Sequence, residues 1–312
     1  MSVTAPAEGA APRLPNLVIV GVSKAGTTSL FNYLSSHPDV CGSDVKELRY
    51  FSPLRYGEAP GPLGEYAAHF RGCSTQRYAV EATPGYFYGG RALAQGLLDT
   101  CPGVRTIVSL REPEERCWSW FQFVKSRTRI PKDMTFTAYL DRCEELHQAG
   151  VDADVEHQPF WGLGGGCYAQ WFDDWVNEFG DRFRTLFFDD VAADPRRTMT
   201  DLCTWLDIDA TVFEDHPFRV DNKTELYRNR VFQQAAVSLN RRSEAFFHRH
   251  STMKRSLRRM YYAVNRAPAR SSMTAAERAR LTEFYRPFNV RLQAQLNALG
   301  LDLPPSWTRP TA

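Results

Sequence analysis

Leu17-Val-Ile-Val-Gly-Val-Ser-Lys-Ala-Gly-Thr-Thr-Ser-Leu30 reads as a buried strand, a tight glycine loop and the opening of a helix. Such a loop aims backbone N–H groups at one point, and the helix N-terminus adds partial positive charge there. Ser23, Thr27, Thr28 and Ser29 add hydroxyls, Lys24 adds a full charge, and no acidic side chain stands in the loop. The stretch suits a phosphate-like anion. Gly21 and Gly26 have the separation of a Walker A loop, and Thr28 fits its last position. Thr27, however, stands where that motif has its lysine, and the lysine lies inside the loop as Lys24. A nucleotide kinase would lack its γ-phosphate lysine at the usual place.

A second stretch, Arg105-Thr-Ile-Val-Ser-Leu-Arg-Glu-Pro-Glu-Glu-Arg-Cys-Trp-Ser-Trp120, repeats the pattern of strand, turn and helix. Pro113 suits a first helical turn, where its missing N–H costs nothing. Arg111 then stands at a strand C-terminus, with Ser119 about two turns into the helix. Arginine presents a planar fork that matches phosphate oxygens.

The first stretch, with its V-x-K-x-G-T-[ST] arrangement, resembles the 5′-phosphosulfate loop of sulfotransferases that use 3′-phosphoadenosine 5′-phosphosulfate (PAPS). The second is similar to their 3′-phosphate motif, R-[DE]-P-x-x-R followed by a serine. The two occur in the family's order, about ninety positions apart. Val45-Lys-Glu-Leu-Arg-Tyr-Phe51 and Val80-Glu-Ala-Thr-Pro-Gly-Tyr-Phe87 resemble two further stretches of the heparan sulfate-type enzymes. Two positions depart from that pattern: Arg49 replaces a histidine and Ala82 a lysine. The cysteine pair and K-G-R segment that close the cofactor site in the vertebrate enzymes are not found. The resemblance covers residues 15–210. It implies an α/β fold with a P-loop-like central parallel sheet, flanked by helices on both faces, and a helical C-terminal segment. It implies PAPS as donor, PAP as product and no metal. Ser23, Lys24, Ala25, Gly26, Thr27, Thr28 and Ser29 would cradle the 5′-phosphosulfate, and Arg111 with Ser119 the 3′-phosphate. Lys24 and Glu47 would be catalytic, as leaving-group stabiliser and general base. Lys46, Arg49, Glu81 and Tyr86 would face a glycan or small-molecule hydroxyl acceptor. Glu81 is the competing base, with an orienting role favoured.

Composition narrows the class. The chain has 312 residues, a net charge of +2 and 43% hydrophobic residues, which fits a real core and argues against general nucleic-acid binding. Seven cysteines are scattered without a C-x-x-C or Cys/His cluster, so neither zinc nor a disulfide framework is expected. That usage fits a reducing cytoplasm. Met1–Pro12 lacks the features of a signal peptide, and no apolar run reaches the length of a membrane span. The expectation is a soluble, bacterial, cytoplasmic relative.

Along the chain, residues 1–13 read as a disordered tail, 14–306 as one domain and 307–312 as a second tail. Strands are expected at Leu17–Val22, Thr106–Leu110 and Arg184–Phe188, and helices at Thr27–Ser36, Phe136–His147, Tyr168–Phe179 and Arg196–Leu206. His157–Gly166 reads as a flexible loop. Residues 231–298 read as mostly helical and basic, with an amphipathic stretch around Arg241–Arg259. Pro287 should kink or split a final helix over Thr274–Ala298.

Some residues carry two readings. Asp189-Asp190 is either a Walker B-like magnesium pair or a contact to a neighbouring loop. His37 before Pro38 reads as a cap. Trp118, Trp120 and Trp161 are candidates for an acceptor cleft. The rivals to sulfuryl transfer are a P-loop kinase or NTPase and a non-catalytic PAP- or glycan-binding module, the latter favoured by Ala82.

Overall fold

A computed structural model describes residues 13–218 and 272–308. Its strands are Leu17–Gly21 (β1), Val40–Gly42 (β2), Tyr78–Ala82 (β3), Arg105–Leu110 (β4) and Phe183–Phe187 (β5). They form one five-stranded sheet in the order β2-β3-β1-β4-β5, every pair parallel. The helices are Thr27–Leu34 (α1), Leu63–Ala68 (α2), Gly90–Thr100 (α3), Pro113–Ser126 (α4), Phe136–Gln148 (α5), Phe172–Phe179 (α6), Phe188–Ala193 (α7), Pro195–Leu206 (α8) and Ala275–Asn297 (α9).

Strand side chains alternate between faces, and both faces are covered here, which is why the strands read as continuous apolar runs. Leu17, Ile19, Val80 and Ile107 pack with Leu30 and Leu34 of α1 and Leu202 and Leu206 of α8. Val18, Val20, Ala79 and Val108 pack on the other side with side chains of α3, α4, α6 and α9. The chain leaves β1 toward β2 and β3 on one side, then crosses to β4 on the other. Such a reversal opens a crevice at the carboxyl ends of the strands, where α/β proteins place their ligands.

Local chemistry sets the helix starts. Pro113 opens α4, and Thr135 and Asp194 cap α5 and α8 by accepting from Ala138 N and Arg197 N. Thr274 and Glu277 form a reciprocal capping box at α9.

Several expectations are corrected. Pro287 does not split α9; Pro287 and Glu283, whose carbonyl loses its partner, are both exposed, while Leu281, Tyr285, Leu292 and Leu296 hold both halves on the core. The segment read as a flexible loop over His157–Gly166 is largely buried. A Cβ on Gly165 would stand 2.5 Å from Arg116 Nη2, and one on Gly166 2.7 Å from the Tyr285 ring. Those glycines admit neighbouring side chains instead of loosening the backbone. Tyr168–Phe179 is a short turn at Tyr168–Gln170 followed by α6. Arg13, read as tail, donates to Ser74 O at 2.7 Å. Trp307, read as the start of the second tail, is buried and its Nε1 donates to Asp189 Oδ2 at 3.0 Å. The basic stretch around Arg241–Arg259 and residues 1–12 lie outside the described residues. Among the described residues, no helix is long and apolar enough to cross a membrane.

The cysteine expectation is also corrected. Cys41 of β2 and Cys73, just after α2, form a disulfide with Cα atoms 5.5 Å apart. Scattered spacing hid it, because the pairing depends on how the long segment between β2 and β3, with α2, packs back on β2, and not on a motif. Cys101, Cys117, Cys143, Cys167 and Cys203 are buried thiols. The bridge closes 32 residues of chain, so reduction should cost about 3–4 kcal/mol of stability through loop-closure entropy. Thermal unfolding with and without a reductant measures this; a Cys41→Ser/Cys73→Ser variant should unfold at the reduced protein's temperature in either buffer.

Candidate active site

The loop after β1, Arg111 and the segment that carries Glu47 lie at the carboxyl edge of the sheet. β1 ends at Gly21, and the loop that follows bends through Lys24 at φ 77° and Gly26 at φ 76° before α1 begins. Lysine in the left-handed region is uncommon and has to be held there. The neighbouring strand does the holding. Val22 N donates to Ser109 O at 2.9 Å, Ser109 Oγ donates to Ala25 O at 2.8 Å, and Arg111 Nη1 donates to Lys24 O at 3.1 Å. A side chain at Gly26 would meet the Phe188 ring at 3.0 Å. The first turn of α1 contains no acid, so its N–H groups and the Thr28 hydroxyl present an uncompensated positive end. Thr27, Ser29 and Ala25 are buried; Ser23, Lys24 and Thr28 are partly exposed. Ala25 offers only its main chain to a ligand.

Lys24 Nζ stands 4.6 Å from the centre of the Phe123 ring on α4. Ser119 lies four residues before Phe123, on the same helix face, and is partly exposed. Arg111 lies over Phe188 at 4.7 Å, and its side chain is only 20% exposed. Burial works against its charge, and Glu115 offsets part of that cost. A partly buried cation of this kind is prepared for an anion.

The other wall is the segment from Ser43 to Phe51, which hangs from β3. Ser43 N donates to Val80 O at 3.0 Å, Glu47 N to Ala82 O at 3.1 Å and Arg49 N to Thr83 Oγ1 at 3.2 Å. Glu47 and Arg49 both adopt left-handed backbone, at φ 67° and 58°. Glu47 lies between two cations: Lys46 Nζ at 3.3 Å from one oxygen and Arg49 Nη2 at 3.3 Å from the other. Burial pushes its carboxyl up, but Lys46 and Arg49 outweigh that and hold it below the ordinary range. Burial lowers the Lys46 amine, against the pull of Glu47.

Glu81 and Tyr86, expected to face the acceptor, do not reach it: both are 0% exposed. Glu81 accepts hydrogen bonds from Thr83 at 2.7 Å, Tyr86 at 2.9 Å and Tyr66. Thr83 Oγ1 in turn accepts from Arg49 N, and Tyr86 OH from Phe51 N at 3.2 Å. The buried carboxylate therefore orients the segment that carries Glu47. Burial pushes the Glu81 carboxyl up, and the three donated bonds pull against it. Ala82 is buried, its carbonyl engaged by Glu47 N.

The remaining candidates are structural. Trp120 and Trp161 are buried, and Trp118 packs edge-on to Phe136. His37 Nε2 bonds Asp209 O at 2.8 Å while its Nδ1 accepts from Asp39 N, the cap role expected. Asp189 contacts Trp307, the loop-contact reading of the Asp189-Asp190 pair.

Sequence reasoning missed Ser109, Thr83, Tyr66, Phe123, Phe188 and Glu115. Ser109 left a signal: a hydroxyl in an apolar strand two residues before Arg111. Tyr66 left none.

No family model matches the chain. Over 209 residues it is 24% identical to bifunctional heparan sulfate N-deacetylase/N-sulfotransferase 1 of Caenorhabditis briggsae, an alignment covering 65% of this chain and 24% of that protein. Over 315 residues it is 24% identical to the human bifunctional heparan sulfate N-deacetylase/N-sulfotransferase 3, covering 95% of this chain and 31% of that one. The chain thus spans about a quarter to a third of the length of the curated relatives it matches. A sulfotransferase from Alicyclobacillus acidocaldarius shares the fold with a TM-score of 0.68 at 22% identity, over 95% of this chain and all of that one. These likenesses agree with the phosphate loop, the Arg111 motif and the five-stranded parallel sheet in relating the chain to the sulfotransferases, and among them to the heparan sulfate type.

Proposed function

We propose that the protein transfers a sulfuryl group from PAPS to a hydroxyl of a small-molecule or glycan acceptor, giving a sulfate ester and PAP. One observation carries this reading. Two anion motifs 87 positions apart converge where Arg111 Nη1 meets Lys24 O. A kinase loop needs no such arginine, whereas a donor with phosphates on both the 5′ and 3′ oxygens of its ribose does.

Sulfuryl transfer, like phosphoryl transfer, passes through a loose in-line transition state, so positioning and charge stabilisation do the catalysis. Ser23, Gly26, Thr27, Thr28 and Ser29 would hold the 5′ end through main chain and hydroxyls, and Arg111 with Ser119 the 3′-phosphate. Lys24 would stabilise the charge that develops on the oxygen between phosphorus and sulfur as that bond breaks. Glu47 would take the acceptor's proton as its oxygen bonds to sulfur, with Lys46 and Arg49 positioning both. No step calls for a metal. The Cys41–Cys73 disulfide speaks against the cytoplasmic placement expected from the cysteine spacing, because a reducing cytoplasm keeps such pairs as thiols.

Calorimetry with PAP and with ATP plus magnesium, on wild type and Arg111→Ala, tests the proposal. PAP should bind more tightly than ATP, and Arg111→Ala should weaken PAP by about tenfold or more, the loss of one charged bidentate contact. ATP preference, or PAP binding indifferent to Arg111, would overturn the reading and restore the kinase. PAP binding without transfer to any acceptor would leave the binding module. The relatives are N-sulfotransferases by name, which adds a second acceptor class, amines, so the acceptor screen with labelled PAPS should include amino sugars beside hydroxyls.

A further inference from the structure

All three free positions of the R-x-P-x-x-R stretch are acidic here, Glu112, Glu114 and Glu115. Three carboxylates thus crowd the first turn of α4, beside the arginine assigned to the donor's 3′-phosphate. Each has a partner on α9: Arg278 Nη1 stands 3.4 Å from Glu112 Oε1, Arg278 Nη2 contacts Glu115 Oε1, and Thr282 Oγ1 donates to Glu114 Oε1 at 3.0 Å. The crowding is tight enough that burial and Glu114 push the Glu112 carboxyl up to about 7.

Glu115 divides its oxygens between two arginines. Oε1 takes the close contact with Arg278, while Oε2 lies 3.6 Å from Arg111 Nη2, beyond hydrogen-bond distance. Arg111 Nη1 is engaged on Lys24 O, so Nη2 is the arm turned to Glu115. A carboxylate drawn one way by Arg278 is a weaker competitor for Arg111 than one with no second cation. Resting on the PAPS reading above, we infer that Glu115 is a built-in competitor for the donor's 3′-phosphate on Arg111, and that Arg278 of α9 sets its strength. Arg278 acts through Glu115 and is a positioning residue. Donor affinity is then coupled to how α9 docks on α4.

The readout is the 3′-phosphate increment, the ratio of the dissociation constant of AMP to that of PAP, by calorimetry. Glu115→Gln should raise the ratio about fivefold, the scale of one half-exposed ion pair. Arg278→Ala should lower it by a similar factor, and Glu115→Gln/Arg278→Ala should return it to the level of Glu115→Gln alone. That rescue separates competition from damage to the fold, which would persist in the double variant. If Glu115 serves only the helix N-terminus, Glu115→Gln lowers the melting temperature and leaves the ratio unchanged, and the inference is overturned. Arg111→Ala keeps the two levels apart. A ratio that collapses in Arg111→Ala but ignores Glu115→Gln sinks this inference alone; a wild-type ratio near one sinks the PAPS reading and this inference with it.

Discussion

On the PAPS reading, Lys24→Ala should lower kcat by about a hundred- to a thousand-fold, the scale seen when one preorganised group facing developing charge is removed, while PAP affinity should change by less than about tenfold. The asymmetry follows from where charge appears. The bridging oxygen gains charge only as the bond to sulfur breaks, so an ammonium aimed there acts on the transition state far more than on bound nucleotide. Lys24 is well held for that role, by a left-handed backbone tied to Arg111 and by the Phe123 ring beneath its amine. Lys24→Arg should not restore the rate, because a planar guanidinium spreads its charge over three nitrogens and does not place it at one point as an ammonium does. Glu47→Gln should lower kcat on the scale of a lost general base, about a hundredfold or more. With its carboxyl held below the ordinary range by Lys46 and Arg49, Glu47 is ionised at neutral pH, and activity should fall only as pH drops below that range. Single-turnover rates with saturating donor measure both variants. A Lys24→Ala enzyme with normal kcat but poor donor binding would make the lysine a mere anchor.

The glycine loop after β1 and the place of Arg111 at the end of β4 were legible in the sequence because their geometry is local. A strand, a glycine frame and a helix start are adjacent residues, and Arg111 marks a strand end by the same logic. The parallel sheet was legible from alternating strands and helices. What escaped depends on partners far away in the chain. Glu81 lies between Val80 and Ala82 on β3, which was not among the strands expected from the sequence, its donor Tyr66 comes from α2, and its effect passes to Arg49 N and Phe51 N. Glu115 carried no reading in the sequence, because its partner Arg278 comes from α9, 163 positions away. Gly164, Gly165 and Gly166 were misread because glycine marks close approach as often as freedom, and only the positions of Asp152, Arg116 and Tyr285 decide which.

Glu81→Ala costs about 4–6 kcal/mol of stability, a large part of the 5–15 kcal/mol that holds a typical domain. The carboxylate is 0% exposed and accepts from three hydroxyls, those of Tyr66, Tyr86 and Thr83. Removing it leaves three buried donors without an acceptor, at about 1–3 kcal/mol each before relaxation, and opens a cavity beneath Tyr66 and Tyr86. Glu81→Gln keeps the volume and one acceptor oxygen and turns the other into a donor, so it should cost only about 1–2 kcal/mol. The functional consequence is selective. Thr83 and Tyr86 are the groups from which Arg49 N and Phe51 N hang, so loosening them releases the segment that holds Glu47. The loop after β1 is fastened instead by Ser109 and Arg111. Glu81→Gln should therefore lose kcat by tenfold or so while PAP binding stays near wild type, consistent with the steepness of rate on positioning. Urea unfolding and calorimetry read the two effects separately. Glu81→Ala as stable as wild type would mean that the three hydroxyls find other acceptors, and equal losses of PAP binding and kcat would mean that the two walls of the site are not independently supported.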